Sequence, residues 1–255
     1  MSSPVNTITL TDSSSVVYTF NESFEFKGND YRYSSSISKR AFAHGGIDTG
    51  SGHADAQRVR LNGWIFGATD TAHRDDYDAL LRAITKEDQE LRWGAHPRFI
   101  KVKRVRSMRQ EFEENIETVS KVRIDFQTED PFWHFEIPNS IATAMNSPVS
   151  TFTLINSGNV DTFPTFTIVS SDSNAAGLTL RNVSDDSNLM VYTDINLTAD
   201  TTLTIDNAVG TVARGSINTL RNFTGQFIRL VTGANTFEFT GAKALLTAVY
   251  RERTF

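Results

Sequence analysis

Histidine has the widest chemical range of the residues in this chain, because imidazole can bind a metal, act as a general base or carry a proton. The five histidines lie at positions 44, 53, 73, 96 and 134, and none makes the i, i+4 pair of a helical zinc site. His44 and His53 share one glycine-rich segment, so a metal ion between them is an open alternative. Cysteine is absent, which excludes disulfides, thiolate catalysis and cysteine-type zinc sites.

Other catalytic signatures are also missing from the sequence. It contains no nucleophile elbow of the G-x-S-x-G type, no P-loop and no dinucleotide fingerprint after a strand. Asp185, Asp186, Asp194 and Asp200 could bind calcium, although acidic turn residues of this kind commonly form Asx-turns. We therefore predict a protein that is not an enzyme, with no catalytic residue, no metal site and no cofactor.

Charged residues are concentrated in the first part of the chain. Residues 1–140 carry 18 basic and 21 acidic groups, whereas residues 141–255 carry only 7 and 9. The density of charge falls sharply past residue 140 while the net charge of each part stays small, and Ser, Thr and Asn dominate the second part. This change in composition predicts two domains, which we assign to residues 1–136 and 137–255.

Composition also excludes some classes of partner. Neither domain has the basic excess with which proteins neutralise nucleic-acid phosphates, so no specific nucleic-acid binding is expected. No apolar run approaches the ~20 residues that cross a bilayer, and the N-terminus lacks the basic and apolar regions of a secretory signal. We expect a soluble chain that is made in a cytosol and does not insert into a membrane.

One amphipathic helix is predicted after residue 70. Its apolar side chains follow the i, i+3, i+4, i+7 spacing of a single stripe, namely Tyr77, Leu80, Leu81 and Ile84. Asp70 or Thr71 can cap its start, and Gly94 lies beyond its end. An isolated helix of ~14 residues is only marginally stable in water, so its apolar stripe must pack on a sheet. The first domain is therefore predicted to be α+β.

A long antiparallel hairpin is predicted over residues 98–126, with a charged tip from Arg109 to Asn115. Its first arm carries six basic residues and no acid between residues 98 and 109, and acidic residues follow at once. Cross-strand ion pairs on a solvated hairpin explain this pattern, and a docking surface for a neighbouring subunit is the alternative. The candidate docking residues are Ile100, Lys101, Val102, Lys103, Arg104 and Arg106.

The segment from residue 44 to residue 57 contains four glycines and few apolar groups, which predicts an exposed loop. Its candidate contact residues are His44, Gly45, Gly46, Gly50, Gly52 and His53. The strand that follows contains Gly63, with Gly67 just beyond it, and these glycines predict a bulge or close packing.

From residue 151 onward, short runs with strand character recur about every ten residues, separated by turn sequences such as SGN, DSN and TGAN. This spacing, without one plausible helix, predicts an all-β sandwich or jelly roll. The predicted fold class is therefore an N-terminal α+β domain, with a sandwich-like or split-barrel-like sheet, one helix and a long hairpin, followed by an all-β sandwich.

Two large aromatic residues follow the end of the hairpin. Asp130 and Pro131 stop its last strand, because proline cannot donate to a ladder. Phe132 and Trp133 come next, close to the predicted domain boundary. Burial of such side chains removes ~150–250 Å² each from water, enough to fix the joint between two domains. Stacking of a sugar on Trp133 is the alternative.

The order of several motifs resembles that of the distal tail protein family of phages with long, non-contractile tails. The first motifs are the glycine-rich segment, the strand RVRLNGWIFG, the helix and the strand that closes in VRIDFQTEDPFW. The sandwich adds INSGNVDTFP and GANTFEF. The resemblance extends from about residue 45 to the C-terminus. Its sandwich motif consists of Asn156, Gly158, Asn159 and Pro164.

The resemblance implies a structural adaptor without catalysis. Members of the family form a homohexameric ring, closed by the N-terminal domain, that joins the tail tube protein to the tail hub or tail-associated protein. Their galectin-like C-terminal domain projects outward and often attaches receptor-binding or fibre proteins. The implied location is the tail tip of a virion, after assembly in the host cytoplasm. A carbohydrate-binding adhesin with Tyr192 or Tyr250 as a sugar platform is the alternative, and a cytosolic enzyme of unassigned class is a third.

Overall fold

The computed structural model describes residues 7–30, 37–39, 46–48, 58–94, 97–113, 116–128, 130–172, 177–185 and 188–254. The chain divides into two compact units, Met1–Trp133 and His134–Phe255. In the described residues the first unit combines strands with one α-helix, and the second unit contains strands and a single short 3-10 helix. The predicted fold class is confirmed, and the boundary that we placed at residue 136 stays a prediction.

The first unit is built on an antiparallel sheet. Seven strands follow one another across it in the order β2–β1–β7–β8–β9–β6–β3, and β4 pairs separately with β5. Helix α1 lies between β6 and β7 in the chain. The elements are β1 (Ile8–Thr11), β2 (Val17–Thr19), β3 (Glu25–Asp30), β4 (Ile37–Lys39), β5 (Gly46–Asp48), β6 (Arg58–Phe66), α1 (Asp70–Ile84), β7 (Gln89–Trp93), β8 (Arg98–Glu113) and β9 (Ile116–Thr128).

Helix α1 begins directly after its cap. The Thr69 side-chain oxygen accepts a hydrogen bond from the backbone N–H of Ala72 at 3.2 Å, as expected of an N-cap residue. We predicted Asp70 or Thr71 as the cap, and this prediction is wrong because both residues already lie inside the first turn. No helix in the described part of the chain is long and apolar enough to span a membrane.

The helix ends at Ile84, well before Gly94, which we predicted to lie just beyond its end. Asp88 adopts a left-handed φ of 55°, and the chain then enters β7 at Gln89. Strand β7 was not predicted, because its charged residues continued the polar pattern of the helix. Buried Gln89 and Leu91 show that this segment alternates as a strand does.

The core of the first unit lies on one side of the sheet. Helix α1 packs against β6 and β9 there. Leu80 and Ile84 of the helix share a buried cluster with Leu61 and Ile65 of β6 and with Ile124 of β9. Alternate residues of these strands therefore point toward the helix, and the residues between them point to the opposite side.

Two glycines permit close packing in this core. A Cβ atom at Gly63 would overlap the ring of Phe24, and a Cβ atom at Gly67 would overlap the backbone of His73. The close packing predicted at both positions is confirmed.

The hairpin of β8 and β9 is longer than predicted. Strand β8 continues to Glu113 and β9 begins at Ile116, so the residues from Arg109 to Glu113 that we assigned to the tip belong to the ladder. Register shifts along β8 mark β-bulges, which leave Arg104 and Ser107 on the side of the sheet away from the helix.

The second unit contains two antiparallel sheets, in the orders β11–β21–β13–β16–β17–β18 and β12–β20–β14–β15–β19, around one apolar core. Strand β10 pairs with β22. A 3-10 helix covers Leu220–Asn222. The strands are β10 (Trp133–Phe135), β11 (Asn139–Met145), β12 (Val149–Asn156), β13 (Thr165–Ser170), β14 (Gly177–Asn182), β15 (Asn188–Thr193), β16 (Thr202–Asp206), β17 (Thr211–Arg214), β18 (Ile217–Asn218), β19 (Phe223–Gly225), β20 (Gly233–Gly241), β21 (Ala244–Tyr250) and β22 (Arg253–Thr254).

Gly63→Ala tests the contact between Phe24 and β6. The added methyl group has no room unless the ring moves, so we expect the free energy of unfolding to fall by roughly 1–3 kcal/mol, as overpacking usually costs. Urea denaturation monitored by tryptophan fluorescence measures this loss. The double variant Gly63→Ala/Phe24→Leu should lose less than the sum of the two single variants, because the smaller side chain gives way. Strict additivity would contradict the contact.

Candidate protein-interaction surface

Basic side chains are concentrated on the side of the sheet opposite α1. Residues that pair across neighbouring antiparallel strands project from the same side, and neighbours along a strand alternate. Four rows of paired residues on β6, β9 and β8 carry these cations. We name this set the basic face; it consists of Arg58, Arg60, Arg104, Arg109, Lys121 and Arg123.

Two arginines stand directly opposite each other on the basic face. Arg109 of β8 is in register with Arg123 of β9, and like charges in such positions weaken a strand pair. Their side chains are 75% and 47% exposed. Nearby carboxylates are only loosely placed, with Glu111 3.6 Å from Arg109 and Asp125 3.9 Å from Arg123. The sheet therefore presents two like charges side by side to solvent, each with one carboxylate within ion-pair distance.

Two adjacent grooves follow these arginines along the face. The smaller groove has a volume of about 120 Å³ and is lined by Asn62, Arg109, Glu111, Lys121 and Arg123. The larger has a volume of about 340 Å³ and is lined by Ser107, Met108, Arg109, Arg123 and Asp125. Each groove is thus lined by at least two cations and one carboxylate, which is Glu111 in the smaller groove and Asp125 in the larger.

Asp125 fixes the position of neighbouring side chains on this face. The carboxylate is buried, and it accepts hydrogen bonds from Arg60 Nε at 2.7 Å and from Ser107 Oγ at 3.1 Å. Burial by itself would raise the pKa of Asp125, but these hydrogen bonds and the charges of Arg60 and Arg123 hold that pKa below its ordinary value. Asp125 is therefore ionised at neutral pH and holds Arg60 in place.

The hairpin residues that we predicted for docking fall into two groups. Ile100 and Val102 are buried in the core and support β8 from inside. Lys103 donates to the Asp88 carboxylate at 2.7 Å. The exposed members are Lys101, Arg104 and Arg106. A docking role for the hairpin stays a prediction, and these three side chains are the ones available for it.

The basic residues of the second arm were not predicted to take part in docking. Lys121 and Arg123 were not singled out, and Arg109 was placed in the tip. The register of β8, β9 and β6 brings these residues to one side of the sheet. Alternation of basic and apolar residues in KVRIDF was the available signal, but the bulges of β8 conceal which residue of the first arm lies opposite.

The predicted tube-contact loop lies almost entirely outside the described residues. Only Gly46 is described, at the start of β5, where its backbone pairs with Lys39 of β4. The others, which lie outside, are His44, Gly45, Gly50, Gly52 and His53.

The residues predicted for the domain junction form a turn at the end of the first unit. The Asp130 carboxylate accepts a hydrogen bond from the backbone N–H of Phe132 at 3.1 Å, and Pro131 is buried. Trp133 is half-buried against the core of the first unit, with its ring centroid 5.7 Å from that of Phe26. The first compact unit ends at Trp133. A role of these residues as a joint stays a prediction.

Buried asparagines hold an extended segment of the second unit in place. Asn156 Nδ2 donates to the carbonyl of Val160 at 2.9 Å and to that of Leu230 at 3.2 Å. Asn182 Nδ2 donates to the carbonyl of Arg229 at 3.1 Å. Because buried carbonyl groups without a partner cost free energy, these amides stabilise a segment in which regular strand pairing is largely lacking.

The rest of the sandwich motif is also structural. A Cβ atom at Gly158 would overlap the carbonyl oxygen of Arg253, and that carbonyl accepts a hydrogen bond from the Asn159 N–H at 3.2 Å. The carbonyl of Pro164 accepts a hydrogen bond from the buried side chain of Asn207 at 2.6 Å. The motif therefore fixes the connection between β12 and β13.

A serine and a histidine lie close together in the first unit. His73 Nε2 is 2.8 Å from Ser120 Oγ, the spacing of a base and a nucleophile, and Gln110 donates to the same hydroxyl at 3.0 Å. His73 and Ser120 are only 1% and 0% exposed, so a substrate cannot reach them. No group of three or more histidines and acids that could hold a metal ion occurs in the described residues.

Two of the acidic turn residues considered for calcium are bound to arginines. Asp185 accepts a hydrogen bond from Arg229 Nε at 2.9 Å, and this bond lowers the pKa of Asp185. Asp194 is buried and lies 3.0 Å from Arg214. Asp186 lies outside the described residues. The two acids thus face separate cations and do not form a shared ligand set.

The two tyrosines proposed as sugar platforms are buried. Tyr192 is 0% exposed and its hydroxyl donates to Asp194 at 2.8 Å. Tyr250 is 4% exposed and its hydroxyl donates to the carbonyl of Ile155 at 2.7 Å. Neither ring can stack on a sugar from solvent, so the adhesin alternative loses the side chains on which it depended.

Asp125→Asn should lower stability in a pH-dependent way. A carboxyl group whose pKa is lowered by folding stabilises the protein above its unfolded pKa of about 4, and this contribution is lost as the pH falls through the folded pKa. We expect the free energy of unfolding of the variant to be lower by roughly 1–3 kcal/mol at pH 7, because Arg60 loses the anion that it binds. The difference should shrink below about pH 4.

Urea denaturation at several pH values measures this difference. Asp88→Asn is the matched control, because its ion pair with Lys103 is exposed and should contribute less than about 1 kcal/mol. A gap between wild type and Asp125→Asn that is equal at neutral and acid pH would contradict the role assigned to this carboxylate.

Residues 157–253 match the family model SPP1 Dit, described as the siphovirus-type tail component, C-terminal domain. The crystal structure of the Dit protein of phage SPP1, described as a paradigm of the hub adsorption apparatus in phages that infect Gram-positive bacteria, is 15% identical with a TM-score of 0.74. The alignment covers 97% of this chain and 99% of that chain. No curated protein sequence matches.

A second structural similarity is weaker. A chain of the phage P2 baseplate in its activated conformation with Ca is 10% identical with a TM-score of 0.47, over 96% of this chain and 98% of that chain. This score is too low to support an argument. The SPP1 Dit similarity shows a shared fold over nearly the whole chain. The resemblance to distal tail proteins is confirmed, with a shared fold over nearly the whole chain and a match of residues 157–253 to the C-terminal domain of the siphovirus-type tail component.

Proposed function

We propose that this protein is a structural hub at the tail tip of a phage. Six copies form a ring that joins the tail tube protein to the tail hub or tail-associated protein and to receptor-binding or fibre proteins. The observation that carries the proposal is the tail-component domain at residues 157–253. The fold shared with SPP1 Dit, itself described as a hub, supports it over 97% of the chain.

The first unit has the properties that a ring-forming module needs. A closed ring requires two different complementary patches on each copy, related by a fixed rotation. The two sides of the sheet of this unit differ in chemistry, because α1 covers one side and the basic face occupies the other. The exposed side chains of Lys101, Arg104 and Arg106 extend the contact surface along the hairpin.

A hub must also contact the tail tube and the receptor-binding or fibre proteins. We assign the glycine-rich sequence with His44 and His53 to the contact with the tail tube, because glycine lets a backbone approach a partner closely. We assign the attachment of receptor-binding or fibre proteins to the second unit. The role is structural, since the serine and histidine that lie in catalytic proximity are closed to any substrate.

The purified chain should assemble into particles of about six times its mass of 28.4 kDa. Light scattering over a range of concentrations measures this mass, and negative-stain images should show six-fold annuli. Tail tubes purified from the same phage should carry these annuli at one end. A chain that stays monomeric at every concentration, or that forms only two-fold dimers, would contradict the ring.

A further inference from the structure

We propose that the basic face of one copy binds helix α1 of the next copy, through three exposed carboxylates that we name the acidic helix face. These are Asp75, Asp76 and Asp78. The inference rests on the ring proposed above and identifies the contact that closes it. Each copy would contribute the basic face to one neighbour and the acidic helix face to the other.

The basic face carries a net positive charge, whereas the rest of the chain carries a net negative charge. The four rows of sheet residues that carry its six cations hold only two acids, Glu111 and Asp125, a net charge of +4. The whole chain has a net charge of −5, so the remainder carries −9. A second copy therefore attracts the basic face, and the attraction is strongest where its carboxylates are concentrated.

The carboxylates of the acidic helix face have no partner within their own helix. Asp70 occupies the first turn and is paired with Arg74. Asp75, Asp76 and Asp78 lie past that turn, where the helix dipole no longer favours an acid. None of the three forms an ion pair within the described part of the chain. They form an exposed negative surface of one helix, which is available to a partner of positive charge.

The positions of the two faces favour contact from head to tail. Helix α1 packs on the core side of β6 and β9, and the basic face projects from the other side of the same strands. A copy cannot bring its own faces together, and a two-fold contact through the basic face would set cations against cations. The complementary arrangement is a heterologous contact, the type that generates closed rings.

Carboxylates from a neighbouring helix would relieve the repulsion between Arg109 and Arg123. Each guanidinium has several N–H donors, and one carboxylate can accept from both. The groove of about 120 Å³ between Asn62, Arg109 and Lys121 has room for an aspartate side chain. Glu111 and Asp125 interrupt the basic face, which favours discrete carboxylates over the continuous charge of a phosphate polymer.

Charge reversal on each face tests the contact in the full-length chain. Arg109→Glu/Arg123→Glu and Asp75→Lys/Asp78→Lys should each raise the concentration for half-assembly by roughly 100-fold, because like charges then face each other. In the chain with all four changes, the concentration for half-assembly should lie within about tenfold of the wild-type value, because the charges are complementary again. High salt should weaken wild-type assembly.

The matched control is Arg181→Glu/Arg221→Glu, which makes the same change in charge at exposed sites of the second unit. This variant should assemble like wild type. Circular dichroism and the Tm verify folding of every variant. If a reversed variant fails to fold, Arg109→Gln/Arg123→Gln and Asp75→Asn/Asp78→Asn give the same comparison with a smaller change of charge.

The outcomes distinguish a failure of the contact between the two faces from a failure of the ring proposal. Rings that form normally from both reversed variants would overturn this contact and leave the ring proposal intact. A wild-type chain that never associates would overturn both. Normal rings from Arg109→Glu/Arg123→Glu, with loss of binding to heparin as a model polyanion, would assign the basic face to a phosphate or sulfate polymer and overturn the contact with helix α1.

Discussion

Helix α1 packs on one side of the sheet of the first unit, and the described residues leave the other side open to water or to a partner. The first unit is organised around this constraint. Alternate residues of β6 and β9 enter the core with Leu80 and Ile84, and the residues between them are mostly polar or charged. Asp125 provides the anion that holds Arg60 among them. Arg109 and Arg123 each lie within ion-pair distance of one carboxylate, and their guanidinium groups are at least 47% exposed. A surface of this kind favours association with an acidic surface over catalysis.

Much of the architecture could be predicted from local patterns. The apolar stripe of α1, the regular spacing of strands after residue 151 and the small volume available at Gly63 are short-range signals, and each corresponds to what the structure shows. Strand β7 was missed because its charged alternate residues look like a continuing polar helix face. The opposition of Arg109 and Arg123 was missed because bulges in β8 set a register that no local pattern records.

Some residues that looked functional in the sequence instead stabilise the second unit. Asn156, Gly158 and Pro164 form or permit backbone contacts in buried positions, and Tyr192 and Tyr250 direct their hydroxyls to partners inside the sandwich. Short motifs of this kind identify a fold, because backbone hydrogen bonding can require one residue type at one position. They do not locate a binding site. The interaction surface of the first unit, by contrast, has no short motif and depends on strands distant in the chain.

The most direct test of the account is a chemical cross-link between the two faces in assembled particles. The chain has no cysteine, so Arg109→Cys combined with Asp75→Cys introduces the only two thiols. With a flexible bis-maleimide, the account predicts a ladder of covalently joined copies that ends at six, and no ladder from either single variant. A cross-linked dimer from Arg109→Cys alone would show that the basic face meets itself, and assembled rings without any cross-link in the double variant would show that the two faces do not meet. Either result would contradict the account.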